Sequence, residues 1–437
     1  MNQNRQDIKS YKICFEPQKC IGDMNCMRVC PVNAIRIREG KAKYLEDKCI
    51  ECGECIKVCT QGAIYPLTNT VSDFQKYKYT VALPSLALYT QFDRNIKPKT
   101  ILNSLVKIGF NEAYDISRAC ISVIKSTKKY ILEHKDNRPF ISPFCPTCVK
   151  IIQMKYMELA SKLVPVISPI ELAAKAIREE ISRRMKLDKK DIGIFYITPC
   201  SSKLLLISDE EKFYSDVDGA IPFNEIYNSL YTAIYQIKRS SSIEIEHYDI
   251  SGFGLNFVRS GGISQMMGIE NSISVSGINN VLYILDEIEK GKMHNVDFVE
   301  IHACPESCLG GPLTVENVYI ARSNLLNLIS YFGETKLPIW KRDEYEGYNV
   351  QQEDLFQPLE RNNNKIDIKI ALNKMAEKKK IISSLPKINC GACGSPDCET
   401  FADDVVNGEL NLFDCVILRN LKLKKLLEDA EFGTSGE

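Results

Sequence analysis

At 437 residues, and with about 150 residues per domain, the chain predicts roughly two to four domains with room for a sizeable core. Lys+Arg and Asp+Glu both count 56 and there are four histidines, so the formal net charge is zero and no global field draws in nucleic acid or anionic lipid. No apolar run approaches the roughly 18 residues of a membrane span, and the opening MNQNRQDIKSYKICF is too polar for a signal-peptide core; the expectation is a soluble, cytoplasmic protein with no nucleic-acid or membrane partner.

The chain carries 18 cysteines. In a reducing compartment, clustered thiolates point to metal or redox work rather than disulfides. With so few histidines, iron–sulfur clusters, which take thiolates alone, fit better than imidazole-built zinc sites.

The first group lies in residues 14–59. Cys49-x2-Cys52-x2-Cys55-x3-Cys59 resembles half of a bacterial ferredoxin pattern, and Cys20-x5-Cys26-x3-Cys30-Pro31 resembles the other half. Three closely spaced thiolates wrap one cubane while the fourth reaches the neighbouring cluster. The expected ligand sets are Cys20, Cys26 and distant Cys59 for cluster one, and Cys49, Cys52, Cys55 and distant Cys30 for cluster two. Asp23 stands where the first half should carry its second cysteine. Either its carboxylate ligates a labile [4Fe-4S] cluster or that corner is empty in a [3Fe-4S] cluster. Cys14 is expected in a strand, as packing. The whole of residues 1–78 reads as an α+β, two-cluster ferredoxin-like domain.

Residues 79–342 read as alternating α/β. Short β-rich runs (YTVALPS, IGIFYITPC, VDFVEIHAC) alternate with helical-period stretches (ISPIELAAKAIREEISRRM, NNVLYILDEIEKGK). Such alternation predicts mostly parallel sheets flanked by helices, with function at the loops after the strands. Three segments there carry cysteines: ISPFCPTC (Cys145), ITPCSSK (Cys200) and VEIHACPESCLGGP (Cys304, Cys308). Separated by 55, 104 and 4 positions, these four thiols meet only if the fold gathers strand-end loops into one crevice. The bland alternative is four buried cysteines near Pro and Gly turns.

Residues 343–366 are polar, with an asparagine run, and read as a linker. Residues 367–437 read as a small helical domain with Cys390-x2-Cys393-x4-Cys398-x16-Cys415, four thiolates that suit a [4Fe-4S] cluster or tetrahedral zinc. That segment resembles the small iron–sulfur domain of corrinoid iron–sulfur proteins.

The three middle segments resemble, in order and content, the signatures of the [FeFe] hydrogenase catalytic domain. The resemblance implies a central two-lobed domain holding an H-cluster, a [4Fe-4S] cubane joined to a two-iron unit with CO, cyanide and azadithiolate. It implies Cys145, Cys200, Cys304 and Cys308 as cubane ligands, Cys308 as the bridge to the two-iron unit, and Lys203 as the partner of a cyanide, with Pro199 before Cys200. Gly310 and Gly311 let backbone pass close to the cluster. Phe144 stands where prototypical members carry the proton-passing cysteine, and Thr198 and His302 replace methionines beside the two-iron unit. Those departures resemble the sensory branch of the family. Cys120 and Glu300, with His302, are the candidate groups for a different proton path, each weighed against burial without a role. The implied partners are H2 and protons, maturases for the two-iron unit, a ferredoxin-like or other redox or signalling protein, and a second copy in a homodimer. The rival readings are a non-catalytic multi-cluster electron carrier and a fully catalytic hydrogenase with a non-standard proton path.

Overall fold

The structure, a computed structural model, describes residues 13–204, 215–240, 250–333, 345, 347–352, 356 and 368–432. Near the start, β1 (Ile13–Phe15) pairs with β4 (Ile64–Pro66), and β2 (Ile35–Arg38) forms an antiparallel hairpin with β3 (Lys41–Tyr44). The hairpin turns through Glu39 and Gly40, both at positive φ (52° and 72°), as a two-residue hairpin turn requires. Short helices Asn25–Arg28 and Glu54–Val58 carry Cys26 and Cys55.

Two parallel sheets follow. One has the order β6-β5-β8-β9, built from Tyr79–Pro84 (β5), Glu112–Ala113 (β6), Ile192–Thr198 (β8) and Gly219–Pro222 (β9). The other has the order β10-β11-β7, built from Phe140–Ile141 (β7), Ser272–Ser276 (β10) and Phe298–His302 (β11). Every residue of β8 and β11 is buried, as expected of parallel strands covered on both faces. Helices Pro98–Lys107, Ser117–Glu133, Pro169–Met185 and Val318–Phe332 each present a buried apolar stripe to this core. No helix among the described residues is long and apolar enough to cross a membrane.

The described chain falls into two compact units: Ile13, Ile50–Gly53 and residues 66–356 in the first, residues 14–49, 54–65 and 368–432 in the second. This differs from the division expected from composition in three ways. Residues 66–78 belong with the parallel sheets, where Asn69 bonds Ala220 through both backbone and side chain and Phe74 enters the core. Part of the stretch expected as a linker is anchored. Ile167 N donates to Val350 O at 2.9 Å, Gln352 N to Pro165 O at 3.0 Å, and Tyr348 OH to Glu179 at 2.8 Å. Two tyrosines and a valine suffice to hold a segment that is otherwise poor in aliphatic side chains. The rest of that stretch lies mostly outside the described residues.

The third difference concerns the last segment. Helices Ile368–Ser384, Cys398–Val406 and Val416–Phe432 have a small core of Leu385, Phe401, Ala402 and Cys415. They pack in one unit with the ferredoxin-like hairpin rather than standing as a separate domain. Arg36, fully buried, sends Nε to Asp404 Oδ1 and Oδ2 at 3.1 and 2.8 Å, and Arg38 Nη2 reaches Asp404 Oδ2 at 2.7 Å.

Candidate functional site

The strand ends deliver the predicted cysteines. Cys200 lies two residues past β8, Cys304 two residues past β11, and Cys145 four residues past β7, at the carboxyl ends where open parallel sheets place their ligands. Thr198 Oγ1 accepts from Cys200 N and donates to Cys200 O, both at 3.1 Å, which pins that loop. Cys145 is the residue before helix Pro146–Lys155, with proline at the first helical position. Cys308 sits in the turn Ser307–Gly310. Glycine is required after it: a Cβ on Gly310 would lie 2.2 Å from Pro305 O, and one on Gly311 would lie 2.4 Å from Pro199 O. Leu313 N donates to Pro199 O at 3.0 Å, so the Cys308 and Cys200 loops are sewn together.

The thiols feel one another. A hydrogen bond from Cys148 is the main force drawing Cys145 down to about 6; burial opposes it, and Ala303 N, 3.5 Å from Cys145 Sγ, and His302 assist. Cys148 is pushed well up, by burial first and then by Cys145, with Cys304 and Cys200 also acting on it. Burial also raises Cys200, with Cys145 adding to it and Lys203 opposing. Ser202 Oγ lies 3.0 Å from Cys200 Sγ. Cys145, Cys148, Cys200, Cys304 and Cys308 thus converge from three distant segments.

Lys203 is 8% exposed, with Nζ 3.9 Å from Cys308 Sγ and 3.3 Å from Tyr196 OH. Burial favours its neutral form, yet Cys308, Tyr196 and Cys200 hold its pKa above the ordinary lysine value. Among the described residues this buried ammonium faces thiols and a phenol; such a charge calls for an anionic group, and an iron–sulfur assembly held by thiolates is one. The residues present fit the implied cofactor. Among the described residues no three His, Cys, Asp or Glu side chains lie close enough together for a single metal ion; a cubane takes one sulfur at each of its irons and needs its ligands more widely spread than lone zinc does.

The residues considered for proton movement part into two places. Cys120, on helix Ser117–Glu133, is buried; burial and then Asp115 push its thiol well up, and Lys203 and Cys308 also act on it, which places it on the lysine side of the site. Glu300 is fully buried on β11 and accepts from Gly261 N (2.9 Å), Ser264 N (2.7 Å) and Ser264 Oγ (2.8 Å). Its Oε1 lies 2.8 Å from His302 Nε2, and His302 Nδ1 lies 3.0 Å from Ser307 Oγ. Burial works against the Glu300 carboxylate, but the bond and charge of His302 and the Ser264 donors outweigh it and lower its pKa. Glu300 is therefore a clamped carboxylate that orients His302. Phe144 is buried edge-on against Phe257, ring centroids 5.0 Å apart.

In the ferredoxin-like part, Cys20, Asp23, Cys26 and Cys59 line one cavity. Burial, then Cys20, push Cys26 up to about 11, with Asp23 and Cys59 contributing. Asp23 is exposed and accepts from Asn25 N and Nδ2. Backbone N–H groups reach three thiols: Ala42 to Cys20, Ala34 to Cys30 and Ala63 to Cys59, at 3.4, 3.2 and 3.2 Å. The segment Ile50–Gly53, which carries Cys52, belongs to the first unit. Ser201 Oγ donates to Glu51 O at 2.8 Å, and a Cβ on Gly53 would lie 2.5 Å from Pro312. Cys390, Cys393, Cys398 and Cys415 line a second cavity.

Sequence reasoning missed Tyr196, Ser202, Ser264 and Ser307. Ser202 could have been noticed between Cys200 and Lys203; the others act from positions that no spacing rule marks.

A family model described as iron only hydrogenase large subunit, C-terminal domain, matches residues 78–273 and 268–312, more than half of the chain. The chain belongs to the iron-only hydrogenase large-subunit family. It is a hydrogenase-like iron–sulfur protein with ferredoxin-type clusters: a 4Fe-4S dicluster domain model matches residues 12–60, and an Fe-S cluster model matches residues 385–417. Over 64 residues it is 46% identical to a protein named ferredoxin 7Fe from Hydrogenibacillus schlegelii, covering 14% of this chain and 80% of that one. Over 45 residues it is 44% identical to a component of the ion-translocating oxidoreductase complex of Methanosarcina acetivorans, covering 10% of this chain and only 17% of that protein's length. Among solved structures, [FeFe]-hydrogenase HydA1 from Chlamydomonas reinhardtii is similar at 14% identity and a TM-score of 0.45, with 58% of this chain and 87% of that chain covered.

Proposed function

We propose that this hydrogenase-family chain holds an H-cluster at Cys145, Cys200, Cys304 and Cys308, interconverts H2 with protons and electrons slowly, and serves as an H2 or redox sensor. The observation that carries the reading is the buried ammonium of Lys203 set against Cys308 and Cys200, with Cys145 acting on Cys200 from a third segment. When bound, the cluster supplies the chemistry on H2. The chain's residues do the rest. The four cysteines bind, Lys203 Nζ offsets negative charge and donates toward it, and Thr198 and the Gly310-Gly311 turn fix the loops. Phe144 closes the position from which prototypical members pass protons, which supports slow turnover and a sensing role. Electrons have a route along the Cys52 loop, which touches Ser201 beside Cys200. The relative named ferredoxin 7Fe, together with Asp23 at the fourth corner of its cavity, supports a [3Fe-4S] cluster there and [4Fe-4S] clusters at the other two accessory sites. A redox or signalling protein in the cytoplasm would receive the output.

The test is infrared spectroscopy of anaerobically matured protein under argon and then H2. Metal-bound CO and cyanide bands that shift reversibly under H2 are expected; their absence after maturation, with iron matching cubanes alone, would leave an electron carrier. The position of Cys120 against Lys203 and Cys308 favours a second reading, full catalysis through a different proton path. In that case Cys120→Ala abolishes turnover while the bands persist. In the sensing reading the already slow turnover changes little.

A further inference from the structure

The last cysteine group sits against the ferredoxin hairpin through the very loops that carry its ligands. Ile37 N donates to Gly394 O at 2.8 Å, one residue past Cys393. Gly394 has φ +78°, and a Cβ there would lie 2.0 Å from Ile37 O, so only glycine permits this approach. Arg38 Nη1 donates to Gly394 O at 2.7 Å, and Ser395 Oγ donates to Asp404 Oδ2 at 2.6 Å. Asn33 Nδ2 donates to Asp397 Oδ2 at 2.8 Å and to Thr400 Oγ1 at 3.1 Å; Asp397 caps the helix that opens with Cys398. A Cβ on Gly391, beside Cys390, would lie 3.1 Å from Met27 Cε. Met27 is fully buried and follows Cys26, and Asn33 lies three residues past Cys30. Contacts therefore run from residues flanking Cys390, Cys393 and Cys398 to residues flanking Cys26 and Cys30. A loose tail would need none of this, and a purely structural knot would not need its ligand loops to be the ones that dock.

We propose that Cys390, Cys393, Cys398 and Cys415 hold a cubane as a fixed third station of the ferredoxin relay, exchanging single electrons with the clusters of the N-terminal cysteines. Each transfer oxidises one cluster and reduces the other by one electron, with no bond made or broken. Cys390, the exposed member of the set, faces solvent and marks the end at which an external one-electron carrier enters or leaves. This rests on the electron-relay part of the proposed function and is independent of the H-cluster.

The test uses the full chain reconstituted with iron and sulfide, without the two-iron unit, reduced with dithionite and read by electron paramagnetic resonance. Spin–spin splitting and accelerated relaxation of the ferredoxin-type signals beyond what the two N-terminal clusters cause in each other are expected in the parent protein, and that excess is lost in Cys398→Ala. Gly394→Ala keeps its iron content but loses the excess splitting, because the added methyl forces the loop off Ile37. A parent spectrum equal to that of Cys398→Ala plus one independent cluster overturns the proposal, as does Gly394→Ala with the excess splitting intact. If Gly394→Ala fails to hold iron, the comparison of the parent with Cys398→Ala still decides. Infrared bands under H2 report on the H-cluster alone, so the two readings fail separately.

Discussion

A lysine that gives up its water needs negative charge close by, and among the described residues Lys203 finds it in Cys308, Tyr196 and Cys200. Lys203→Met keeps the length of the side chain and removes the charge. The expected result is cluster occupancy at this site, or activity, lower by about 10–100-fold, measured by iron content and by the intensity of the infrared bands after maturation. Glu171 gives a second prediction of a different kind. Its carboxylate accepts from Ser215 Oγ at 2.7 Å and Asp216 N at 2.9 Å, yet burial raises its pKa to about 7. Its native pKa lies above its ordinary value of 4.5, so between the two the folded state binds more protons than the unfolded one. Stability is highest below that window and is lost as pH rises through about 7. Thermal melts of the parent should fall from pH 5 to pH 8, and Glu171→Gln should flatten the fall. At this scale the cysteines were legible because thiolates declare themselves by type. Glu171 was not, because a glutamate opening a helix looks like any exposed helix start.

The elements repeat the lesson in another form. Strands β5, β8 and β11 and the helices Pro169–Met185 and Ile278–Glu289, which precede the last two, were readable from β-branched runs and helical period, and so were the loops that follow the strands. The association of the last helices with the β2–β3 hairpin was not. It rests on Arg36 and Asp404, 368 positions apart, and charged residues read as solvent-facing until a partner is seen. Burial opposes the Asp404 carboxylate, but Arg36, Ser395 and Arg38 lower its pKa. The pair thus stabilises the fold above the ordinary carboxylate range and fails as pH drops through the native value. Asp404→Ala leaves the Arg36 guanidinium buried and unpaired, which costs about 3–5 kcal/mol. The check is a melt that tracks helix Cys398–Val406, by circular dichroism or by hydrogen exchange of its amides.

For the whole molecule, cysteines spaced by 55, 104 and 4 positions were expected to meet in one crevice, and the fold brings them near enough for Cys145, Cys304 and Cys200 to act on Cys148 and for Cys145 and Cys308 to act on Cys200. The family resemblance, not the spacing, made that expectation firm, since loops of such length close almost anywhere at little extra entropic cost. What no local pattern revealed is that the second unit is discontinuous in the chain. It takes residues 14–49 and 54–65, lets the parallel-sheet unit intervene, and is completed by residues 368–432. Chains emerge from the ribosome N-terminus first and fold domain by domain. The Arg36–Asp404 contact therefore waits for helices made long after the hairpin: the hydrogenase-type unit has all its strands while Arg36 still lacks Asp404. This docking step runs against the order of the sequence, since the hairpin gains its Asp404 partner only once the helix that carries it has left the ribosome.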